Sequence, residues 1–276
     1  MNKLQAERLE LDLNAYKMRN AVEGDYQRLI TESTLIYEGD SLMIAYVELD
    51  LDCSDVVDAL QHIKYEKNAR TSGLVTTSRI FGYSPRNTLR KDFCSATSLA
   101  KEQPHYHKVI ADYAAKVGEY YQQFNPDLYS THQQTTEGHV IGDYRIKDSP
   151  FTSGIINKNN PLKYHFDTGN FTVVWSGMLV FKRDIEGGYL SVPEYGIGFE
   201  LKHNSLLMFD GQGLLHGVTP IKRLHPNAFR YSIVYYSLRQ MWNCLPITDE
   251  LLRIRQVRTE RETKRVGKRT KKEIQR

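Results

Sequence analysis

The chain has 276 residues, of which 40% are hydrophobic and 25% are charged, a composition typical of a globular protein with a sizeable core. It contains no run of about 18 apolar residues, which argues against a membrane-spanning helix. Its first twenty residues are amphipathic and mixed in charge, whereas a signal peptide would be basic and then apolar. We therefore expect an intracellular protein without membrane contact, cytoplasmic if prokaryotic or phage-encoded and nuclear if eukaryotic.

Positive charge is concentrated at the C-terminus. The whole chain carries a net charge of +4, whereas residues 253–276 contain eleven Lys or Arg against three Glu, a net charge of +8. A basic block of this kind can bind a polyanion such as nucleic acid, or it can be a solvated tail. Composition alone leaves both interpretations open.

The three cysteines, Cys53, Cys94 and Cys244, are odd in number, widely spaced and without a C-x-x-C pair. This pattern argues against a disulfide framework and against a zinc ribbon. We expect three buried thiols.

Three stretches in the first half of the chain show helical periodicity. In the first forty residues apolar side chains recur at helical spacing, which predicts a helix lying on the main body. A second helix is predicted over 54–67, where Ser54 can cap a stripe of apolar residues on one face. The strongest helix is predicted over 105–124, where apolar and aromatic residues recur at intervals of three and four.

After Phe124 the pattern changes to short apolar stretches separated by Gly, Pro, Asn and Asp, which is typical of an antiparallel β domain. Strands are predicted near 171–181, 189–192, 198–201, 206–209, 214–218 and 230–237. Six or more strands within about 70 residues favour a jelly roll, which hides its sheet edges.

These elements indicate an α+β fold with a double-stranded β-helix, or jelly-roll, core. Flanking N-terminal helices and a basic C-terminal helical tail complete it. The expected divisions are an N-terminal helical region at 1–70, a main β domain at 71–245 and the basic tail at 246–276.

Two histidines and one aspartate have the spacing of a metal site. His165 and Asp167 are two apart just before the longest predicted strand, so on an extended chain they point to the same side. A single His-x-Asp is common by chance, but His216 follows forty-nine residues after Asp167, next to a glycine turn. Two His and one carboxylate form the facial triad, which leaves three positions on Fe(II) open for a bidentate cosubstrate and dioxygen.

A candidate cosubstrate contact follows fourteen residues after His216. Arg230 begins a predicted strand, and its planar guanidinium can hold the distal carboxylate of 2-oxoglutarate through two hydrogen bonds. Ser232 faces the same side of that strand and can add a third. The alternative is that Arg230 is an ordinary surface cation at a strand end.

Three segments resemble the TET/JBP family of Fe(II)- and 2-oxoglutarate-dependent nucleic-acid base dioxygenases. They are 165–170 (HFDTGN), 215–220 (LHGVTP) and 230–236 (RYSIVYY), and 78–86 (SRIFGYSPR) looks like the family's upstream arginine-containing element. The resemblance covers residues 71–238 and implies that 71–245 is an oxygenase domain. It further implies that iron binds His165, Asp167 and His216, and that 2-oxoglutarate binds Arg230 and Ser232.

The resemblance also implies residues that contact the substrate. Asn170 matches a position that contacts the target base, Tyr236 matches one that stacks on it, and Arg79 and Arg86 lie in the upstream element. Asn170 as a turn residue and Tyr236 as a core residue are the alternatives. Leu238 departs from the family pattern, because cytosine-acting members carry a histidine there, and this departure bears on the choice of base.

From these residues we expect an oxidoreductase that uses Fe(II), 2-oxoglutarate and O2 to hydroxylate the 5-methyl group of a pyrimidine in DNA. 5-Methylcytosine is slightly favoured over thymine. The DNA would present a flipped base or a single strand, because a base inside a duplex cannot reach a buried metal. Two alternatives stay open: a 2-oxoglutarate oxygenase acting on a small molecule or protein side chain, and a catalytically silent jelly-roll binding module.

Overall fold

The computed structural model describes residues 1–69, 75–86 and 93–274. Its strands are β1 (Asn2–Gln5), β2 (Arg28–Ile30), β3 (Thr34–Glu38), β4 (Ser41–Glu48), β5 (Glu66–Ala69), β6 (Val75–Ser84), β7 (Ser95–Ala96), β8 (Ser153–Lys158), β9 (Leu162–His165), β10 (Ser176–Arg183), β11 (Ile185–Gly187), β12 (Leu190–Val192), β13 (Ile197–Phe199), β14 (Ser205–Phe209), β15 (His216–Val218), β16 (Ile221–Arg223) and β17 (Phe229–Tyr236). Its α-helices are α1 (Leu13–Tyr16), α2 (Ser54–His62), α3 (Ser98–Glu102), α4 (Pro104–Phe124), α5 (Pro126–His139) and α6 (Ile247–Ile274).

Two facing sheets enclose the interior. The major sheet runs β1-β3-β4-β14-β10-β17-β8-β6-β5, with β7 paired to β6, and the minor sheet runs β2-β13-β12-β15-β9. Side chains from the two sheets interdigitate in one buried cluster, in which Ile44 and Val180 of the major sheet meet Leu190 and Phe199 of the minor sheet. This is the double-sheet arrangement predicted from the strand spacing.

Helices α2 and α4 cover the outer face of the major sheet. Val117 of α4 lies so close to the sheet that a Cβ on Gly177 of β10 would come within 2.4 Å of its Cγ1. The tight approach explains why a central strand carries glycine there. Because both faces of β10 and β14 are covered, residues 177–181 and 206–209 form continuous apolar runs rather than alternating patterns.

The N-terminal region differs from the predicted helix. Within residues 1–69 only α1 and α2 are α-helical, and β1 to β5 with a 3-10 turn at Glu23–Asp25 form the rest of the regular structure. β1 pairs in parallel with β3, and β2 pairs in parallel with β13, so these short strands are stabilised by partners distant in sequence. Since β4 also pairs with β14, residues 1–70 share the sheets of the 71–245 segment, and the expected division between them stays a prediction.

One helix follows α4 where sequence periodicity indicated only strands. α5 begins at Pro126, and the Asn125 side chain accepts a hydrogen bond from the Leu128 backbone N–H, which caps the helix. Its apolar pattern is weak because most of its residues face solvent, but the Asn-Pro start was a usable signal. Within the described ranges, none of the helices combines the length and apolar character that a membrane span requires.

The cysteine prediction is wrong for two of the three residues. Cys94 and Cys244, 150 positions apart in the chain, form a disulfide, while Cys53 is a free thiol. The bond joins the segment before α3 to the segment before α6, within a small buried cluster that includes Phe171 and Met241. Sequence separation carried no hint of this contact, because only the tertiary packing brings the two segments together.

Candidate metal and cosubstrate site

The two histidines of the predicted triad lie on neighbouring strands of the minor sheet. His165 ends β9, His216 begins β15, and the two residues are direct cross-strand partners. Asp167 follows β9, and one ligand atom from each of the three residues lies within 4.8 Å of the other two. Nε2 of His165 is 3.5 Å from Asp167 Oδ1, and Nε2 of His216 is 3.9 Å from Asp167 Oδ2.

The backbone fixes which nitrogen of each histidine faces the aspartate. His165 Nδ1 is 2.7 Å from the Lys163 carbonyl oxygen, and His216 Nδ1 is 3.0 Å from that of Leu214. A carbonyl oxygen can only accept, so each Nδ1 carries the proton and donates it. In a neutral ring the Nε2 lone pair is therefore left free to bind a cation, as metal-ligating histidines require.

Burial keeps His216 in the neutral form. The residue is 6% exposed, and its ring lies edge-on to Phe209 with ring centroids 5.0 Å apart. Desolvation, assisted by repulsion from His165, lowers the pKa of His216 to about 4 despite the opposing effect of Asp167. At neutral pH the Nε2 lone pair and the carboxylate of Asp167 thus face each other without a shared proton, an arrangement that a cation stabilises.

A glycine turn holds Asp167 in place. The Asp167 backbone N–H donates to the Gly211 carbonyl at 2.8 Å, in the turn after β14. A Cβ on Gly211 would lie only 2.6 Å from Asp167 Oδ2. The side chain of Asp167 therefore occupies space that any other residue at 211 would need.

Arg230 is a buried cation for which the described residues supply no anion. The residue is 2% exposed, and its Nη2 has no hydrogen-bond partner within the described part of the chain. Burial lowers the pKa of Arg230 to about 10, so it stays protonated at neutral pH. Gly188 makes room for the side chain, because a Cβ there would come within 3.0 Å of Arg230 Cδ. An unpaired buried guanidinium is costly, and a carboxylate ligand satisfies it.

The triad and Arg230 line one cavity of about 540 Å³, within the range of small-molecule sites. On β17 the alternate residues Arg230, Ser232, Val234 and Tyr236 all face into it. Asn170 and Leu238, which form an isolated antiparallel bridge, line the same cavity. The structure therefore gathers the predicted metal, cosubstrate and base residues around a single space, apart from the two upstream arginines.

Arg79 and Arg86 lie outside the cavity lining, and their predicted substrate role stays a prediction. Arg79 is on the face of β6 opposite the cavity, where it is 4% exposed and pairs with Glu66 and Glu102. Arg86 forms an ion pair with the buried Glu250 at 2.9 Å. Both guanidiniums form ion pairs within the protein. For Arg79 the reason is strand alternation, which turns its side chain to the face opposite Ser78 and Ile80.

Polar side chains of three neighbouring strands line the cavity, and two of these strands were not predicted from the sequence. Ser78 of β6, Asn157 of β8 and Ser232 of β17 are consecutive cross-strand partners, and all three line the cavity. They form a polar row next to Arg230. The adjacent row, Ile80, Ile155 and Val234, is apolar. The alternation in 75–84 and 153–158 was the available signal, but neither strand was predicted.

Comparison with known proteins agrees with this geometry. Residues 80–239, more than half of the chain, match the family model Tet_JBP, described as the oxygenase domain of the 2OGFeDO superfamily. The chain belongs to this family. Its membership confirms the predicted TET/JBP resemblance and the predicted cofactor class of the domain, Fe(II) with 2-oxoglutarate and O2.

Curated relatives of this Tet_JBP chain include two named thymine dioxygenases. Thymine dioxygenase JBP1 of Trypanosoma brucei brucei is 27% identical over 176 residues, which cover 62% of this chain and 20% of that protein. The bifunctional helicase and thymine dioxygenase JBP2 of Leishmania braziliensis is 23% identical over 219 residues, covering 75% of this chain and 20% of that protein. The chain thus matches about a fifth of the length of these relatives.

Solved structures confirm the predicted fold class. NgTET1 in complex with 5mC DNA matches with a TM-score of 0.54 at 14% identity, over 78% of this chain and 83% of that one. An oxidoreductase of the 2OG-Fe(II) oxygenase family from Burkholderia pseudomallei matches with a TM-score of 0.51 at 11% identity, over 87% and 100%. At these identities the likeness concerns the fold alone.

The residues present fit the cofactors of the Tet_JBP family. Two imidazole nitrogens and one carboxylate suit Fe(II), and all three residues line the cavity. The unpaired Nη2 of Arg230 and the hydroxyl of Ser232 suit a carboxylate of 2-oxoglutarate. The fit rests on two observations. The buried Nη2 of Arg230 has no hydrogen-bond partner among the described residues, which a carboxylate of 2-oxoglutarate would supply. The ligand atoms of the triad lie together as electron-pair donors, to which Fe(II) would bind.

Proposed function

We propose that this chain hydroxylates the 5-methyl group of a pyrimidine base in DNA, with iron on His165, Asp167 and His216 and 2-oxoglutarate on Arg230 and Ser232. The observation that carries the proposal is the placement of the unpaired Arg230 guanidinium and the triad on one cavity. When bound, iron and 2-oxoglutarate together supply the oxidising power to convert a C–H bond and O2 into an alcohol, with succinate and CO2 released.

The protein's own residues would position the reactants and exclude water. Arg230 and Ser232 would orient the cosubstrate, and the row Ile80, Ile155 and Val234 gives the cavity an apolar wall that offers water no hydrogen bonds. Asn170 and Tyr236 would hold the base, Asn170 through its amide and Tyr236 through stacking. Because His216 is 6% exposed, a base has to leave the helical stack to approach the metal ligands.

For the base itself, we propose 5-methylcytosine first and thymine second. The Asn170 amide nitrogen lies 3.4 Å from Ser176 Oγ and donates to it, which leaves the amide oxygen as the acceptor of this side chain. An acceptor suits the exocyclic amine of cytosine. Thymine is supported by Leu238, whose apolar side chain lines the cavity where a cytosine reader would be polar, and by the thymine dioxygenase names of the curated relatives.

We further propose that α6 binds the DNA backbone. The helix carries Arg253, Arg255 and Arg258 in its described part, and residues 253–276 hold a net charge of +8. Side chains of this kind neutralise phosphates without reading sequence, so they would position the duplex over the cavity.

The experiment is to measure succinate and nucleoside products with iron, 2-oxoglutarate and oligonucleotides of defined methylation. His165→Ala, Asp167→Ala and His216→Ala should each lose Fe(II) binding and succinate formation while keeping their circular dichroism. His225→Ala, an exposed histidine outside the cavity lining, is the matched control and should behave as wild type. Wild-type turnover in any triad variant would remove that residue from the metal site.

The substrate is tested by competition between duplexes whose methylated base is 5-methylcytosine or thymine alone. Hydroxymethyl product on thymine only would reverse the order proposed for the bases. Succinate formation that DNA does not stimulate, with no modified nucleoside, would favour a small molecule or a protein side chain as substrate instead.

A further inference from the structure

A short loop leaves the cavity wall next to Asn170, one of the proposed base contacts. The chain leaves the cavity lining at Asn170 and returns to it at Ser176. The Asn170 amide nitrogen and Ser176 Oγ are 3.4 Å apart, so a hydrogen bond closes the neck of this loop. Residues 171–175 therefore form a small excursion from the cavity wall.

The loop is firmly held by the body of the protein. The Phe171 backbone N–H donates to the Ser237 carbonyl at 2.8 Å, and that of Trp175 donates to the Tyr121 hydroxyl at 2.9 Å. Phe171 and Trp175 are each 3% exposed. A loop fixed in this way presents its tip in one orientation.

The tip residue, Val173, is unusual in two ways. It is 73% exposed, the largest exposed fraction among the large hydrophobic residues of the described chain. Its φ of +58° lies in the left-handed region, which is a strained conformation for a β-branched residue. Of the five other non-glycine residues in this region, Asp148, Asn159, Asp184 and Asn204 are of the types that tolerate it, and Met18 is unbranched at Cβ.

Neither the backbone nor the packing of the monomer explains a valine at this position. Asparagine or glycine would adopt the same φ with less strain, and the valine side chain buries little against its own chain. The Val173 backbone interacts with the carboxylate of Asp210, in the turn whose Gly211 holds Asp167. The same turn thus supports both the metal ligand and the projecting tip.

We propose that Val173 is a wedge that enters the base stack of duplex DNA and fills the gap left when the target base enters the cavity. The inference rests on the proposed function and adds to it the residue that opens the duplex. Apolar side chains inserted between base steps unstack them in many DNA-bending proteins. A rigid loop three residues from the base-contacting Asn170 places such a side chain where the flipped base would depart.

The basic helix α6 follows a segment that contacts the 171–175 loop, which also suits duplex DNA as the partner. The Trp242 ring lies edge-on to Phe171, with ring centroids 5.4 Å apart, which places the segment leading into α6 against this loop. α6 begins five residues later at Ile247 and carries the basic block of residues 253–276. An apolar tip, on a loop that contacts the segment leading into a basic helix, is complementary to a base stack flanked by phosphates.

The test compares a duplex and its single strand as substrates for Val173→Gly and Val173→Asn, both of which tolerate the positive φ. The duplex carries one 5-methylcytosine with 2-aminopurine beside it, so that fluorescence rises when the stack opens. We expect each variant to lose the fluorescence rise and about tenfold or more of kcat/KM on the duplex, because no apolar side chain then enters the opened stack. On the single strand each should stay within about twofold of wild type, since no stack has to be opened.

Leu224→Asn is the matched control, because Leu224 is also an exposed apolar residue, at 51%, and lies outside the cavity lining. It should leave both substrates unaffected. Unchanged duplex fluorescence in Val173→Gly would overturn the wedge, as would a wild-type protein that produces no fluorescence rise on the duplex. Absence of hydroxymethyl product from both substrates with wild type, while the Val173-dependent fluorescence persists, would instead contradict the proposed function alone.

Discussion

Gly211 allows the metal site to be perturbed by one methyl group. Gly211 lies outside the left-handed φ region, so its backbone accepts alanine. The added Cβ would lie 2.6 Å from Asp167 Oδ2, whereas ordinary contact begins at 3.4 Å, so the oxygen has to move by about 0.8 Å. Metal–ligand distances tolerate only about 0.2 Å. Gly211→Ala should therefore displace a ligand without disturbing the fold.

The expected loss is in metal affinity and not in stability. A displacement of this kind should weaken Fe(II) binding about 10- to 100-fold, which corresponds to about 1.4–2.8 kcal/mol. Alanine in place of glycine at a compatible site reduces the entropy of the unfolded chain and adds about 0.4–1 kcal/mol of stability. Anaerobic titration calorimetry with Fe(II), or with Mn(II) as a redox-stable substitute, measures the first quantity, and thermal unfolding of the metal-free protein measures the second.

Gly138→Ala provides the matched control. Nothing lies within 4 Å of a Cβ built on Gly138, which is in the exposed part of α5, so this variant should gain stability and keep its metal affinity. If Gly211→Ala bound metal as tightly as Gly138→Ala, Asp167 would not be a ligand held by this turn, and the inference from this close approach would be refuted.

The site and the core support three further predictions. Arg230→Lys should raise the KM for 2-oxoglutarate about tenfold or more while Fe(II) binding persists, because an ammonium group cannot reproduce the bidentate guanidinium; an unchanged KM in steady-state assays would move the cosubstrate contact elsewhere. Deletion of residues 253–276 should weaken duplex binding and reduce the slope of log K against log salt by about 0.9 for each phosphate that the protein no longer neutralises; an intact affinity and slope in fluorescence anisotropy would make the block a solvated tail. Burial lowers the pKa of His132 to about 3, from about 6.5 in the unfolded chain, so acid protonates the unfolded state first. The free energy of unfolding should therefore fall as the pH drops below about 6.5, by up to about 1.4 kcal/mol per pH unit until pH 3; chemical denaturation of His132→Gln should show a shallower pH slope, and an equal slope would contradict this assignment.

His132 illustrates why burial and not sequence sets such a shift. Ser237 Oγ donates to the Pro150 carbonyl, so the contact of 2.8 Å between Ser237 Oγ and His132 Nε2 requires the imidazole to donate. Nδ1 is then left buried without a hydrogen-bond partner in the described chain. A second proton on this ring would have no acceptor, which is why the neutral form persists to low pH.

The chemistry of the site was largely readable in the sequence because it is encoded in short segments. His165 and Asp167 are two residues apart, and Arg230 and Ser232 are two residues apart, so strand alternation alone puts each pair on one side. Helix α4 was predicted to within one residue at its start, since a long amphipathic stripe reports its own period. The local pattern therefore specifies which face of a strand or helix a side chain occupies, relative to its neighbours in the sequence.

The tertiary structure decided which other residues each face contacts. Arg79 stands between Ser78 and Ile80, and only the sheet shows that the cavity lies on their side and the paired glutamates on the other. The N-terminal strand β1 is held by parallel pairing with β3, and Cys94 meets Cys244 across 150 residues. Such contacts join segments that are distant in sequence. The free energy that orders each segment comes from surfaces elsewhere in the chain, so the segment's own sequence shows no periodic pattern that would predict the contact.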